Sequence, residues 1–412
     1  MQIRQMLGQK CYKQFKQLDL EMRILLVIKV TCTAVLVSLF FSSVGYSFET
    51  KAKAAYVIDE TTGTILLSKN ADLPLPPASM SKLMTLYVTF EFIKSGRLAI
   101  DEKLPVSKSA AQYTGSTMFL NPTDRVTVLD LIRGIIVLSG NDACAVIAEA
   151  LSPDGTEAGF AKLMTQRGKQ IGLKNSTFKN SNGWPADGHQ MSVRDLSILA
   201  EKLIEDFPEY YPMFAEQTYE FDGRATANTR NRNPLLGLGI GADGLKTGHT
   251  KEAGYGLVGS AKQDGRRIIF VLSGLQTLED RAQEAEAIVN WAFRQFVVKK
   301  FGTGGAEVGK AKVWNGKSRN VRLLLENDLN VMVPVLSSGE PLFSIQYNGP
   351  IKAPIKKGDK IAQLVIRSQD LPETTHDLLA GDDVSTGGFL VRIRTAGHYL
   401  FNMLYTNSEE SL

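Results

Sequence analysis

Two hydrophobic periods alternate along residues 48–298. Ala54 to Asp59 and Thr64 to Ser68 are short apolar runs around Thr61-Thr62-Gly63, the pattern of a β-hairpin. Tyr255 to Ala261 and Arg266 to Ser273 flank Gln263-Asp264-Gly265 and predict a second hairpin. Helical spacing lies between them. After an irregular approach through Pro74, Pro76 and Pro77, a helix is expected from about Ser79 to Ser95, stopped by Gly96. Thr127 to Leu138 and Ala143 to Leu151 predict two helices broken at Ser139-Gly140-Asn141. Ser192 to Asp206 and Glu279 to Val297 predict two more. Helices bracketed by a strand pair at each end form an α+β unit, not an alternating βαβ series.

The pattern changes at Phe301-Gly302-Thr303-Gly304-Gly305. Beyond it come short β-rich runs separated by turn residues: Ala311 to Trp314, Val321 to Leu325, Val331 to Val335, Leu342 to Tyr347 and Lys360 to Arg367. They predict a small all-β domain over 306–384, following a larger domain over 48–298. Gly387-Gly388 then introduces Phe389, Ile393, Ala396, Leu400 and Leu404 at helical spacing, with Arg392, Arg394, Thr395, His398 and Asn402 mostly elsewhere on the wheel. An amphipathic helix at 387–406 with this basic face suits an anionic membrane surface; the competing reading docks it on its own β domain. At the other end, Ile24 to Phe41 is apolar apart from Lys29 and a few small polar residues, is preceded by Arg4, Lys10, Lys13, Lys16 and Arg23, and is followed by Gly45 and Ser47. Basic, apolar, small is the order of a secretory signal over 1–47, with Met22 as an alternative start. An uncleaved anchor is the other reading, although Lys29 makes the span marginal. Both readings place the rest of the chain outside the cytoplasmic membrane.

Charge and composition remove several classes. The 412 residues carry a formal charge of +4 with no run of like sign, too mild for a nucleic-acid binder. Of the cysteines Cys11, Cys32 and Cys144, only the last lies outside the N-terminal segment, among apolar neighbours, so it reads as a small buried hydrophobe. No Cys/His spacing resembles a metal site, and no cofactor is expected. Gly304 to Lys310 approaches a phosphate-binding loop, but Ala311 stands where the metal-binding hydroxyl belongs, so it reads as a flexible boundary.

Three short motifs carry the chemistry. In Ser79-Met80-Ser81-Lys82 the hydroxyl and the ammonium are three residues apart and share a helical face. A serine becomes a nucleophile when a base takes its proton, and a lysine serves only if its pKa falls towards neutrality. Ser139-Gly140-Asn141 can present a hydroxyl and an amide into a cleft from the break between two helices. Lys246-Thr247-Gly248, followed by His249, offers a basic, hydroxylated strand edge, bare at Gly248, for a peptide with a terminal carboxylate. Each alone is weak: a capping serine, a turn, an ordinary strand end. The three in this order are not.

Together they resemble the known signature of the penicillin-binding protein and serine β-lactamase superfamily, and more narrowly that of the low-molecular-weight D-alanyl-D-alanine carboxypeptidases. Asn231-Arg232-Asn233-Pro234-Leu235-Leu236 and Asp243-Gly244-Leu245-Lys246-Thr247-Gly248-His249-Thr250 support the narrower likeness, which runs from about Ala54 to the C-terminus. It implies a β-lactamase/transpeptidase-like domain, an antiparallel sheet flanked by helices. By resemblance, Ser79 is the acylated nucleophile, Lys82 its base, and Ser139 the relay to the leaving D-alanine. Asn141 orients the peptide amide. Lys246 depresses the Lys82 pKa and draws in the carboxylate, which Thr247 and Arg232 hold. The backbone N–H groups of Ser79 and His249 form the oxyanion hole. The implied partners are peptidoglycan pentapeptides, β-lactam inhibitors and an anionic inner-membrane surface. No Glu-x-x-Leu-Asn lies between the second and third motifs, which disfavours efficient β-lactamase action. A DD-endopeptidase and a catalytically silent peptidoglycan-binding scaffold are the alternatives. Trp184 and His189 belong to a loop placed to border the cleft, with no catalytic role expected.

Overall fold

The computed structural model describes residues 48–389 and 393, apart from 225–226, 337–338 and 370. The predicted signal at 1–47, and the predicted helix at 387–406 beyond its first residues and 393, lie outside the described residues.

The first hairpin forms as expected, β1 (Ala54–Asp59) with β2 (Thr64–Lys69). Helix α1 (Lys82–Lys94) follows, then a small ladder of β3 (Lys103–Pro105) and β4 (Arg125–Thr127). Helices α2 (Val128–Arg133), α3 (Asn141–Leu151), α4 (Glu157–Gln170) and α5 (Val193–Asp206) come next. Thr127, Thr156 and Ser192 cap α2, α4 and α5 by accepting backbone N–H groups of the first turn. The chain then enters β5 (Ala242–Thr250), β6 (Gly254–Gln263) and β7 (Arg266–Leu275), and α6 (Leu278–Gln295) closes the domain.

The two hairpins join into one antiparallel sheet of order β2-β1-β7-β6-β5, because β1 pairs with β7. Successive side chains of a strand face opposite ways, so a strand apolar throughout is buried on both faces. Along β7, Phe270 and Leu272 pack with Ala285, Ile288 and Val289 of α6, whereas Ile269 and Val271 join the core of the preceding helices. Strand β5 ends the sheet and carries the third motif.

Several boundaries differ from expectation. Ser79 does not open a regular α-helix but sits in a 3-10 turn, Ala78–Ser81, ahead of α1. The helix after β4 continues past α2 as a π-helical turn, Gly134–Leu138, to the break at Ser139. The last helix of the domain stops at Gln295, and Phe296 and Val297 begin β8 (Phe296–Gly302), paired with β11 (Leu329–Pro334). The Gly304-Gly305 region is therefore no loose boundary. It is a turn held by Gly304 N donating to Asp328 Oδ1 at 3.0 Å and Gly305 N to the Leu325 carbonyl at 2.8 Å.

The remaining strands are β9 (Glu307–Trp314), β10 (Asn320–Leu325), β12 (Leu342–Gln346), β13 (Ile351–Lys352), β14 (Lys360–Arg367) and β15 (Thr374–Ala380). They form a sheet of order β12-β14-β15-β10-β9-β13 over a core that includes Val321, Leu323, Leu364 and Leu378. Arg266 ties the regions together: its Nε donates to the buried Asp59 carboxylate and its Nη1 to the Phe296 carbonyl at 2.9 Å.

Candidate active site

The three motifs meet where the 3-10 turn, the Ser139 break and β5 converge. Lys82 is fully buried at the start of α1. Its Nζ donates to Ser79 Oγ at 3.0 Å, to Asn141 Oδ1 at 2.7 Å and to the Asn182 carbonyl at 2.6 Å. These three acceptors hold the ammonium against the serine oxygen. Ser139 stands beyond the π-helical turn in a left-handed conformation (φ 61°, ψ 35°), with a buried hydroxyl that has no partner among the described residues. Asn141, the first residue of α3, is held at both ends, because its Nδ2 also donates to the Thr114 carbonyl at 2.8 Å.

Strand β5 brings Lys246 and Thr247 to the same place, both buried. A Cβ on Gly248 would lie 2.8 Å from the Pro77 carbonyl oxygen and 3.0 Å from Met80 Cγ. The missing side chain thus admits the turn that carries Ser79, whereas the sequence had suggested room for a peptide. A second close approach occurs at Gly183 (φ 83°), where a Cβ would lie 1.9 Å from the Ala78 carbonyl oxygen. Only glycine lets that loop press on the Ser79 turn and offer the Asn182 carbonyl to Lys82.

The electrostatics follow from burial. Loss of hydration lowers the Lys82 pKa to about 8, with the Arg232 guanidinium adding to the effect and the Asp142 and Glu157 carboxylates opposing it. Lys246 is held well below the ordinary lysine range by burial first, then by the Lys82 charge and Arg232. The resemblance had made Lys246 the cation that depresses Lys82; here desolvation is the larger cause and Arg232 the added cation. Among the described residues Lys246 Nζ has a 3.5 Å contact with the Thr247 carbonyl to hold its proton, against three close acceptors at Lys82. The lowered pKa leaves a larger neutral fraction of Lys82 near neutral pH than an ordinary lysine has.

Arg232 lies on the rim. It donates to Ser116 Oγ at 2.7 Å, to Asn228 Oδ1 at 2.8 Å and to the Leu138 carbonyl at 3.2 Å, which ties it to the residue before Ser139. The exposed ring of His249 stacks on Tyr255, its cross-strand partner, with centroids 3.9 Å apart. The Cys144 thiol is buried and free, with its pKa pushed up to about 12 by desolvation, as a small hydrophobe should be.

The motifs alone do not reveal the supports of this site. Glu157 Oε1 accepts from Ser181 N at 2.9 Å and from Ser181 Oγ at 2.5 Å, while Oε2 accepts from Tyr113 Oη at 2.5 Å. Glu157 therefore fixes the segment that presents the Asn182 carbonyl. The sequence signal available was Thr156 as a cap followed by apolar positions at 160, 161 and 164.

Comparison with known proteins agrees with this geometry. Residues 42–277 match the family model described as D-alanyl-D-alanine carboxypeptidase, and residues 296–386 match the C-terminal domain of penicillin-binding protein 5. The chain is 32% identical over 360 residues to D-alanyl-D-alanine carboxypeptidase DacF of Bacillus subtilis, an alignment covering 85% of this chain and 90% of the relative. Among solved structures, penicillin-binding protein 5 from Haemophilus influenzae is 32% identical with a TM-score of 0.71, covering 82% of this chain and 98% of the other. Penicillin-binding protein D2 from Listeria monocytogenes, in its ampicillin-bound form, is 32% identical with a TM-score of 0.54, covering 60% and 99%. With the motifs converging on one buried lysine and two successive domains matching, the chain belongs to the D-alanyl-D-alanine carboxypeptidase family.

Proposed function

We propose that the protein removes the terminal D-alanine from peptidoglycan pentapeptides through an acyl-enzyme on Ser79. Neutral Lys82 takes the Ser79 proton as Oγ attacks the carbonyl between the two D-alanines. Backbone N–H groups of Ser79 and His249 take up the charge that develops on the carbonyl oxygen. Ser139 passes a proton to the leaving amine, the C–N bond breaks, and the acyl group remains as an ester on Ser79. Water then hydrolyses the ester. Lys246, Thr247 and Arg232 hold the terminal carboxylate, whose arrival favours the charged form of Lys246. Asn141 holds Lys82 in place and borders the peptide amide. β-Lactams enter by the same attack and leave a slower ester.

The observation that carries this reading is the 3.0 Å contact between Ser79 Oγ and a buried Lys82 whose pKa lies near 8. The test uses residues 48–386 as a soluble protein. Fluorescent penicillin should label it, and Ser79→Ala should lose the label; a labelled mutant would mean another nucleophile. Release of D-alanine from a pentapeptide separates this activity from cleavage confined to cross-linked dimers. We propose further that the protein is exported and held peripherally on the outer face of the cytoplasmic membrane by its C-terminal segment. Among the described residues no helix is long and apolar enough to cross a membrane.

A further inference from the structure

Two segments close over Lys82, residues 113–115 from one side and 181–184 from the other. Glu157 joins them at one point, since its carboxylate accepts from both Tyr113 Oη and Ser181. Trp184 joins them at a second. A Cβ placed on Gly115 would lie 3.3 Å from Trp184 Cζ3 and 3.4 Å from Asn141 Nδ2. The edge of the indole therefore rests on the Gly115 backbone, beside the amide whose Oδ1 accepts from Lys82 at 2.7 Å. Gly115 has a left-handed backbone (φ 80°), so neither its conformation nor its space suits a side chain.

The indole is fixed through its own backbone. Trp184 N donates to Asn182 Oδ1 at 2.8 Å, and the Trp184 carbonyl accepts from Asn180 Nδ2 at 2.8 Å. Asn182 is also the residue whose carbonyl accepts from Lys82. Burial shows the layering. Trp184 is 45% exposed and Gly115 is exposed, whereas Asn141 and Lys82 are buried. The ring is thus the outer cover of the Asn141–Lys82 pair on this side of the cleft.

We propose that Trp184, closed on Gly115, is a positioning residue that keeps water off the Lys82 amine and so fixes the pH range in which that amine can act as a base. This role rests on the reading of Lys82 as the base for Ser79 and adds what tunes it. Desolvation is the largest cause of the lowered Lys82 pKa. Of the other groups that act on Lys82, Arg232 lowers the pKa further, and Cys144, Asp142 and Glu157 oppose it; Lys246 and His189 feel the Lys82 charge in turn. None of them lies in the 182–184 segment or at Gly115. Trp184 is itself uncharged, so loss of the indole admits water without removing a charge, and the ammonium form gains.

The test follows the second-order rate of acylation of the full chain by benzylpenicillin from pH 6 to pH 10 in wild type, Trp184→Ala and Trp184→Phe. In Trp184→Ala the rising limb should move up by about one pH unit. In Trp184→Phe, which keeps an aromatic cover, it should move less far. The position of the limb does not depend on how much of a preparation is active, so partial misfolding leaves it readable; should Trp184→Ala fail to fold, Trp184→Leu carries the same comparison. A change that merely loosened the Asn182 carbonyl would deprive the ammonium of an acceptor and move the limb down. An unmoved or lowered limb in Trp184→Ala, or an equal shift in both variants, overturns the shield and leaves Lys82 as the base. A wild-type rate indifferent to pH overturns the base assignment itself.

Discussion

At the scale of single residues, the activity depends on which lysine is short of a proton. Lys82 meets the serine, and on the proposed mechanism its pKa of about 8 sets the pH at which it would accept the Ser79 proton. The depressed value means that the ammonium dominates below it and the free amine above it. The second-order rate of acylation by benzylpenicillin should therefore rise about tenfold per pH unit from pH 6 to near 8 and then level off. A stopped-flow or gel-based rate profile reads this directly, and a rate indifferent to pH over that range would remove Lys82 as the base. The meeting of the motifs was legible in the sequence, since Lys82 contacts both Ser79 and Asn141. The source of the pKa shift was not, because burial and the nearness of Arg232 depend on contacts far apart along the chain. Gly248 shows the same limit. Its position in a motif was visible, but not the neighbour its missing side chain accommodates.

At the scale of elements, the site is a set of supports around the Ser79 turn. The first residue of α4, Glu157, binds Ser181 and Tyr113 and so fixes the Asn182 carbonyl that receives Lys82. Glu157→Ala should release that segment and lower the acylation rate about 100-fold through a small misplacement of the base. Glu157→Gln keeps an acceptor for Ser181 and should lose less. Because the Glu157 charge raises the Lys82 pKa, both variants should move the acylation limb to lower pH than wild type. The paired rate profiles check this; a lower rate with an unmoved limb would leave Glu157 a purely structural part. Elements were readable where the apolar pattern is plain, as in the continuous runs of the two hairpins and the one-sided face of α5. They were hidden where local chemistry argues otherwise. Strand β5 contains Asp243, Gly244 and Gly248, which favour turns, and only pairing with β6 makes it a strand. Strand β8 begins with Phe296 and Val297, which continue the apolar rhythm of α6 and disguise the change of element.

The whole molecule is organised around the join between the catalytic sheet and the β domain. The Arg266 contacts to Asp59 and to the Phe296 carbonyl put the first residue of β8 under the control of the catalytic sheet. Residues of the β14–β15 connection, including Leu371 and Pro372, face Thr62 and Thr64 of the first hairpin. From Thr374 strand β15 runs away from that contact, and the chain leaves near Asn315, where Gly387 N donates to the Asn315 carbonyl at 2.7 Å. Removal of 387–412 should free the signal-processed protein from membranes while its turnover of pentapeptide in solution stays within about twofold of the full chain; fractionation and a D-alanine assay measure both. Truncated protein that remains in the membrane fraction would refute the tail as the anchor. The seven residues of β15 alone span roughly 20 Å between the hairpin contact and the exit end. Were the tail held at a surface as proposed, the β domain would act as a ruler: the cleft would patrol a layer at set height, and stem peptides outside that layer would escape trimming however well they fit.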